Sequence, residues 1–317
     1  MDRSSEGRQP VLVLLGPTAV GKTAISLEIA SRLPGEVISA DSRAFFKGLD
    51  IVTDKPSERE RLGIPHHLID IVSWRDTYDA MAFRRDVERL VPEICARGSV
   101  PIVAGGGTLY LGAILRGIFD GPARDSAIRA ELEARSINVL YEQLRAADPV
   151  AAERIHPNDR LRIVRALEVH RLTGRPISTW QADATPLAHR LFVVGLQRGR
   201  DEHRAAIASR VRRMIDRGLL DEVARLHEEG LHSGCQAYRT IGVPEAMSLL
   251  EGRTSEREME QQIIHRTWGL ARRQTAFFRR EKDVSWLDVT GRTARDVTED
   301  ILAAWATFLE ADDVQHE

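Results

Sequence analysis

Short apolar runs alternate with stretches of helical periodicity over the first third of the chain. Val11, Leu12, Val13, Leu14 and Leu15 form an unbroken apolar run, the pattern of a strand buried on both faces of a parallel sheet. Beyond it, Ile25, Leu27, Ile29, Ala30 and Leu33 recur at helical spacing until Pro34-Gly35, which predicts one amphipathic helix and its stop. Residues 37–41 then read as a second buried strand ending in Asp41. A helix is expected near 76–97, interrupted or begun late because of Pro92, and a third strand at 100–104 that runs into glycines. This alternation predicts a doubly wound α/β sheet. The texture changes from about Asp120: residues 124–172 are rich in Arg, Glu, Ala and Leu and predict helices. Thr173-Gly174-Arg175-Pro176 closes that segment, and the stretch to about Ala188 reads as a linker. An apolar run at 191–196 predicts a return to the sheet, so the helical segment is expected to be an insertion. Two helices follow, at 201–218 and 219–229, then mostly helix, with one short strand at 285–289 and an acidic solvated tail at 311–317.

Composition narrows the class rather than the fold. The 317 residues are 43% hydrophobic and 29% charged, within the range of an ordinary globular protein. Only Cys95 and Cys235 are present, without metal-ligand spacing, which excludes a cysteine framework and fits a reducing cytosol. The polar start MDRSSEGRQP shows no signal peptide, and no stretch has the length of a membrane span. A formal charge of −2 leaves any nucleic-acid surface to local clustering.

The chemistry begins at Gly16-Pro17-Thr18-Ala19-Val20-Gly21-Lys22-Thr23, which matches GxxxxGK[ST] without deviation. The pattern lies between an apolar strand and an amphipathic helix, the context a phosphate-binding loop requires. Its backbone N–H groups curl round phosphate oxygens, Lys22 adds a point charge and the Thr23 hydroxyl is placed for Mg²⁺. The expected fold is therefore α/β, a P-loop NTPase-like parallel sheet flanked by helices, with an inserted all-helical domain. Its parts are a first core segment at 1–119, a helical insertion at 120–188, and a second core segment at 189–317 with basic C-terminal helices. A hydrolase normally places a carboxylate after a later strand, but the strand at 100–104 ends in Gly105-Gly106-Gly107-Thr108. Asp41 stands after its own strand instead, at the sheet edge where ligands bind. It reads either as a base that accepts a proton from a nucleophile or as a turn former. The first reading makes the protein a transferase.

These residues carry a resemblance to the tRNA dimethylallyltransferases, the IPP transferase family. The matching segments are GPTAVGKT (16–23), ISADS (38–42), GLDIVTDKP (48–56), PHHLID (65–70), IHPND (155–159), RALEV (165–169), TGRP (173–176), LLDEV (219–223) and ARRQTAFFRR (271–280). HPND followed by RALEV is more specific than the P-loop. GLDIVT is also similar to the adenylate isopentenyltransferases of cytokinin synthesis. The resemblance implies that dimethylallyl diphosphate sits in the P-loop with Mg²⁺ on Thr23, and that an adenine amine attacks its allylic carbon. Catalytic roles then fall on Asp41 as base and on Thr18, Lys22 and Arg210 around the diphosphate. Contacts to a tRNA anticodon stem-loop fall on Asp41, Ser42, Arg43, Ala44, Thr108, Arg162 and Arg165. A monomeric cytoplasmic enzyme without membrane contact is expected.

The chain departs from the family pattern at three places. Gly107 stands where the family's GGT-x-LY loop has threonine, with Thr108 one place later. Ala44, Phe45 and Phe46 replace the usual Gln, Val, Tyr, and Gly242-Val243-Pro244-Glu245 replaces GY[KR]E. Altered RNA preference is expected from them. Arg266, Arg272, Arg273, Arg279, Arg280 and Lys282, interleaved with Trp268, Phe277 and Phe278, read either as an RNA footprint or as an amphipathic helix with core aromatics. Arg160, Arg162, Arg165 and Arg171 form a second basic set. His66 and His67, adjacent on a predicted strand, point to opposite faces and favour packing or hydrogen bonding over a metal. Three other functions compete with the tRNA enzyme: prenyl transfer to free adenylate, a small-molecule kinase with Asp41 as base, and a non-catalytic RNA binder.

Overall fold

The strands are β1 (Pro10–Leu15), β2 (Gly35–Ser39), β3 (His66–His67), β4 (Val100–Gly105), β5 (Arg190–Gln197) and β6 (Ser285–Asp288). In this computed structural model, which describes residues 8–313, they form one sheet in the order β3-β2-β4-β1-β5-β6. Every pair is parallel. The helices are α1 (Lys22–Arg32), α2 (Ala80–Ala96), α3 (Thr108–Leu115), α4 (Ser126–Glu133), α5 (Ile137–Ala147), α6 (Pro149–Arg154) and α7 (Arg160–Thr173). They continue as α8 (Ile177–Ala182), α9 (Arg200–Asp216), α10 (Leu219–Glu228), α11 (Val243–Leu250), α12 (Glu256–Phe278) and α13 (Ala294–Asp313).

The chain divides into two compact units, one formed by the residues up to Leu111 with those from Ala188 onward, the other Gly112–Leu187. In the first, β1 lies at the centre of the sheet, its side chains wholly buried from Val11 to Leu15. Its Leu12 and Leu14 pack with Ile25, Ile29, Ile102, Leu196 and Trp305. A second core in the same unit joins Phe46, Leu49 and Val52 to Val211, Leu219, Val223, Met247 and Met259. Register aligns the ends of the central strands, with Leu15 opposite Gly105 and Ser39 opposite Ala104. The turns that leave β1, β4 and β2 therefore emerge side by side at the C-terminal edge of the sheet, where open α/β sheets bind ligands.

The unit Gly112–Leu187 has its own core, built on Leu132, Leu140, Leu144, Ile163, Leu167 and Ile177. Asp159 of HPND caps α7 by accepting from Arg162 N, and Gly174 of TGRP ends it in the left-handed conformation. Glu168 of RALEV is fully buried and accepts from Asp125 N, Arg129 and Arg165.

Four sequence expectations change. The helix expected near 76–97 starts at Ala80, because the Asp79 side chain caps it, and Pro92 does not interrupt it. Buried Leu90, Val91 and Ile94 flank the exposed proline, so packing outweighs the lost hydrogen bond. The expected linker after TGRP contains α8, whose Ile177 is buried and whose Ser178 N–H donates to Asp148. The strand read as 37–41 ends at Ser39, which puts Asp41 in the following turn. Residues 311–313 of the expected acidic tail belong to α13, whereas 314–317 and the polar 1–7 lie outside the described residues. Among the described residues, no helix is long and apolar enough to cross a membrane.

Candidate active site

The loop between β1 and α1 opens onto a cavity of about 370 Å³ at the sheet's C-terminal edge. Thr18, Ala19, Gly21, Lys22 and Thr23 form one wall, with Asp41, Ala44, Gly105, Gly106, Arg210 and Gln274 around it. Gly16, Pro17 and Val20 belong to the loop without lining the cavity. Lys22 Nζ folds back to donate to the carbonyls of Gly16 (2.9 Å) and Pro17 (2.7 Å). Burial pushes its pKa down to about 7; the nearby Asp41 carboxylate opposes that shift and the Arg210 guanidinium adds to it.

Thr18 is held at each of its polar atoms. Its N–H donates to Gln274 Oε1 (2.8 Å), its hydroxyl accepts from Arg210 Nη1 (2.7 Å), and its carbonyl meets His203 Nε2 (2.8 Å). Burial lowers the His203 pKa, and a carbonyl partner requires the proton on Nε2. Arg210 is not a solvated helix arginine. Its Nη2 donates to Thr53 O (2.9 Å) and its Nε pairs with Asp54 (3.0 Å). These partners lie in GLDIVTDKP, whose backbone is in turn held by Glu222 of LLDEV. That buried carboxylate accepts from Asp50, Ile51 and Val52 N–H at 2.8, 2.8 and 2.9 Å.

Asp41 lies across the cavity from the loop's lysine and accepts from Arg43 N (2.9 Å) in a tight turn. Arg43 turns away to donate to Gln236 O, and burial lowers its pKa. Ala44 is buried on the cavity wall, and Phe45 continues into an aromatic cluster with Tyr78 (4.6 Å between centroids) and Tyr110 (5.1 Å). Gly107 N donates to Ala40 O, and a Cβ on Gly107 would stand 2.6 Å from that oxygen. The threonine of the family loop is therefore not restored there; Thr108 opens α3 and is not among the residues lining the cavity.

Three quarters of the chain, residues 44–281, match the IPP transferase family, and a tRNA dimethylallyltransferase of Thermomicrobium roseum is 44% identical over 288 residues, covering 89% of this chain and 87% of that protein. The chain belongs to the IPP transferase family. Its fold is similar to that of a tRNA isopentenylpyrophosphate transferase from Bacillus halodurans, with a TM-score of 0.74 at 34% identity over 98% of this chain and all of that one. A eukaryotic dimethylallyltransferase crystallised acting on tRNA has a TM-score of 0.78 at 28% identity, covering 89% of this chain and 74% of its own.

Within this family member, the cavity brings together Thr18, Lys22, Thr23, Asp41, Ala44 and Arg210. It does not gather the other sequence candidates: Ser42, Arg43 and Thr108 stand outside its lining, and Arg162 and Arg165 lie on α7 in the other unit. Arg165 is engaged with Glu168 (2.8 Å) and Pro122 O (2.8 Å), whereas Arg162 is 72% exposed. In the C-terminal basic set, Arg266 pairs with buried Glu245. Phe278 is in the core and Trp268 packs edge-on against His203, so those two aromatics serve packing. Arg272, Arg273, Arg279, Arg280 and Lys282 stay exposed. His67 meets Glu36 (2.7 Å) and His66 Nδ1 donates to Ile64 O (2.8 Å) while lining the cavity. Among the described residues, no group of three or more His, Cys, Asp or Glu could hold a metal.

Gln274, His203, Thr53, Asp54 and Glu222 are absent from the sequence-derived candidates. The segments that hold four of them were recognisable, but side-chain partners 150 or more positions away were not, as with the 256 positions between Thr18 and Gln274. The signal for His203 was its spacing with Ile207, Val211 and Met214 on the buried face of α9.

Proposed function

We propose that this chain transfers a dimethylallyl group from dimethylallyl diphosphate to the exocyclic amine of the adenine 3′ of the anticodon in tRNA, releasing pyrophosphate. The observation that carries the reading is one cavity lined by a phosphate-binding loop and by two carboxylates, of which Asp54 is paired with Arg210 and Asp41 is held only by the Arg43 N–H of its own turn. The nucleophilic nitrogen forms a bond to the allylic carbon as the carbon–oxygen bond to diphosphate breaks. Asp41 accepts the proton that the amine loses. Loop N–H groups, Lys22 and Arg210 receive the charge that builds on the leaving diphosphate. Thr18 sets the guanidinium through its hydroxyl.

Mg²⁺ fits this site as a guest of the substrate. The exposed Thr23 hydroxyl is an oxygen donor on the cavity wall, and a hard cation takes its remaining ligands from diphosphate oxygens and water. When bound, it neutralises pyrophosphate charge. RNA contacts are assigned to the turn at Asp41, Ser42, Arg43 and Ala44, to Thr108, and to Arg162 on α7, with Arg165 acting by holding α7. The target adenine has to leave its stack to reach Asp41, and the reaction belongs in the cytoplasm with its tRNA substrate.

Labelled dimethylallyl diphosphate supplied with unmodified tRNA or with free AMP tests the reading. Label is expected in tRNA alone, and Asp41→Asn is expected to reduce it by about 10²–10⁴-fold. Label in AMP alone, or none in wild type, overturns the proposal.

A further inference from the structure

Gln274 is a polar side chain on the buried face of a helix. Along α12 the buried positions are Met259, Ile263, Ala271, Gln274 and Phe278, so an amide stands in a stripe that is otherwise apolar. Only 7% of the residue is exposed. Burying an amide is unfavourable unless both its ends find partners, and both do. Oε1 accepts from Thr18 N (2.8 Å) and Nε2 donates to Gly106 O (2.7 Å). A backbone N–H only donates and a carbonyl only accepts, so the two contacts leave one orientation for the amide.

Gly106 makes room for this arrangement. A Cβ there would stand 2.7 Å from Gln274 Nε2 and 3.2 Å from Gly16 O. The glycine turn after β4 and the start of the P-loop therefore close around a single side chain. Two consequences follow for anion binding. The Thr18 N–H is already committed and is not offered to a phosphate. The Thr18 hydroxyl is pinned where Arg210 Nη1 reaches it at 2.7 Å, so the guanidinium inherits its position from the clamp.

We propose that Gln274 is a positioning residue for the diphosphate leaving group: by bridging Thr18 to the turn after β4 it preforms the Thr18–Arg210 arm of the anion site before substrate arrives. This rests on the prenyl-transfer reading above and adds to it a residue that touches neither reacting atom. Loss of the bridge leaves Thr18 N and Gly106 O unpartnered, and the loop must reorder each time it binds an anion.

The test is steady-state kinetics with each substrate varied in turn, together with calorimetric titration of dimethylallyl diphosphate in the absence of RNA. Gln274→Ala is expected to raise KM and Kd for the diphosphate by about ten- to a hundred-fold, the effect of one or two lost buried hydrogen bonds. KM for tRNA is expected to stay within about twofold. Gln274→Glu keeps the acceptor for Thr18 N but sets a carboxylate against Gly106 O, and is expected to fail in the same way. Gly106→Ala drives the amide out by its Cβ and should reproduce the phenotype. The double variant Gly106→Ala/Gln274→Ala is expected to be no worse than the more impaired single one, because both break the same bridge.

Diphosphate affinity unchanged in Gln274→Ala, equal losses for both substrates, or additive losses in the double variant overturn the proposal. A wild-type protein that binds the diphosphate but modifies no tRNA overturns the function instead, and the binding titration still decides the clamp.

Discussion

At the scale of single residues, the site is organised by where charge is buried. Lys22 lies among loop carbonyls with its pKa lowered to about 7 by burial. The free site at pH 8 therefore holds this side chain mostly neutral, and an incoming diphosphate, fully ionised at that pH, favours the ammonium form. Binding of dimethylallyl diphosphate at pH 8 is expected to take up close to one proton, and affinity to fall as pH rises above 7, approaching tenfold per unit. Calorimetry in buffers of different ionisation enthalpy measures the uptake directly. Lys22→Met should abolish it, and a wild-type site that takes up no proton contradicts the assignment. The departures from the family pattern also belong at this scale. Ala44, Phe45 and Phe46 are all buried, so they read as packing of the wall behind the site rather than as a polar reader of the base.

At the scale of elements, the site depends on a relay of backbone holds. Glu222 on α10 gathers three backbone N–H groups of residues 50–52, and the next two residues, Thr53 and Asp54, hold Arg210 on α9. A carboxylate suits three converging donors because it has only acceptors to offer. Glu222→Gln replaces one oxygen with an NH₂ group facing a donor. It is expected to lower stability by roughly 1–3 kcal/mol and to raise KM for the diphosphate through a loosened Arg210. Denaturant unfolding and kinetics on the same preparation check both; a stability loss with an unchanged KM would separate Glu222 from the site. LLDEV and GLDIVTDKP, 170 to 172 positions apart at these contacts, meet at this one carboxylate. One motif holds the backbone of the other.

At the scale of the whole molecule, the net charge of −2 hides its distribution. The end of α12 and the residues after it expose Arg272, Arg273, Arg279, Arg280 and Lys282. In the other unit, Arg160 binds the carbonyls of Glu133 and Arg135, Arg171 binds Glu131 and Arg165 binds Glu168, whereas Arg162, 72% exposed, is held only by Asp159 at 3.5 Å. Replacing Arg279, Arg280 and Lys282 by glutamine is expected to weaken tRNA binding and to flatten its salt dependence by about 0.7 per lost phosphate contact. KM for dimethylallyl diphosphate should not move. Filter-binding titrations over a range of salt concentrations check the slope, and an unchanged slope removes this surface from the RNA interface.

Local signals along the chain determined the strands, the P-loop and its helix, the helical segment and the place of Asp41 at the sheet edge. Each depends on neighbours a few residues apart: apolar runs for buried strands, helical spacing for α1, and a glycine pattern for a loop that wraps phosphate. TGRP was legible as a helix stop, and Gly174 ends α7 there; HPND was legible only as a family motif, and the structure makes its Asp159 the cap of the same helix. Tertiary structure decided what a side chain does when its partner is remote. From sequence, Arg210 reads equally as a solvated helix residue, yet Thr18, Thr53 and Asp54 take its guanidinium. Trp268 and Phe278 suit base stacking in pattern, yet the fold buries Phe278 and sets half-buried Trp268 edge-on against His203. Gln274 carries no mark of its role, because that role consists of a backbone N–H on one segment and a carbonyl on another. Backbone donors and acceptors are the same at every position in a sequence, and only folding determines which of them a buried amide will meet.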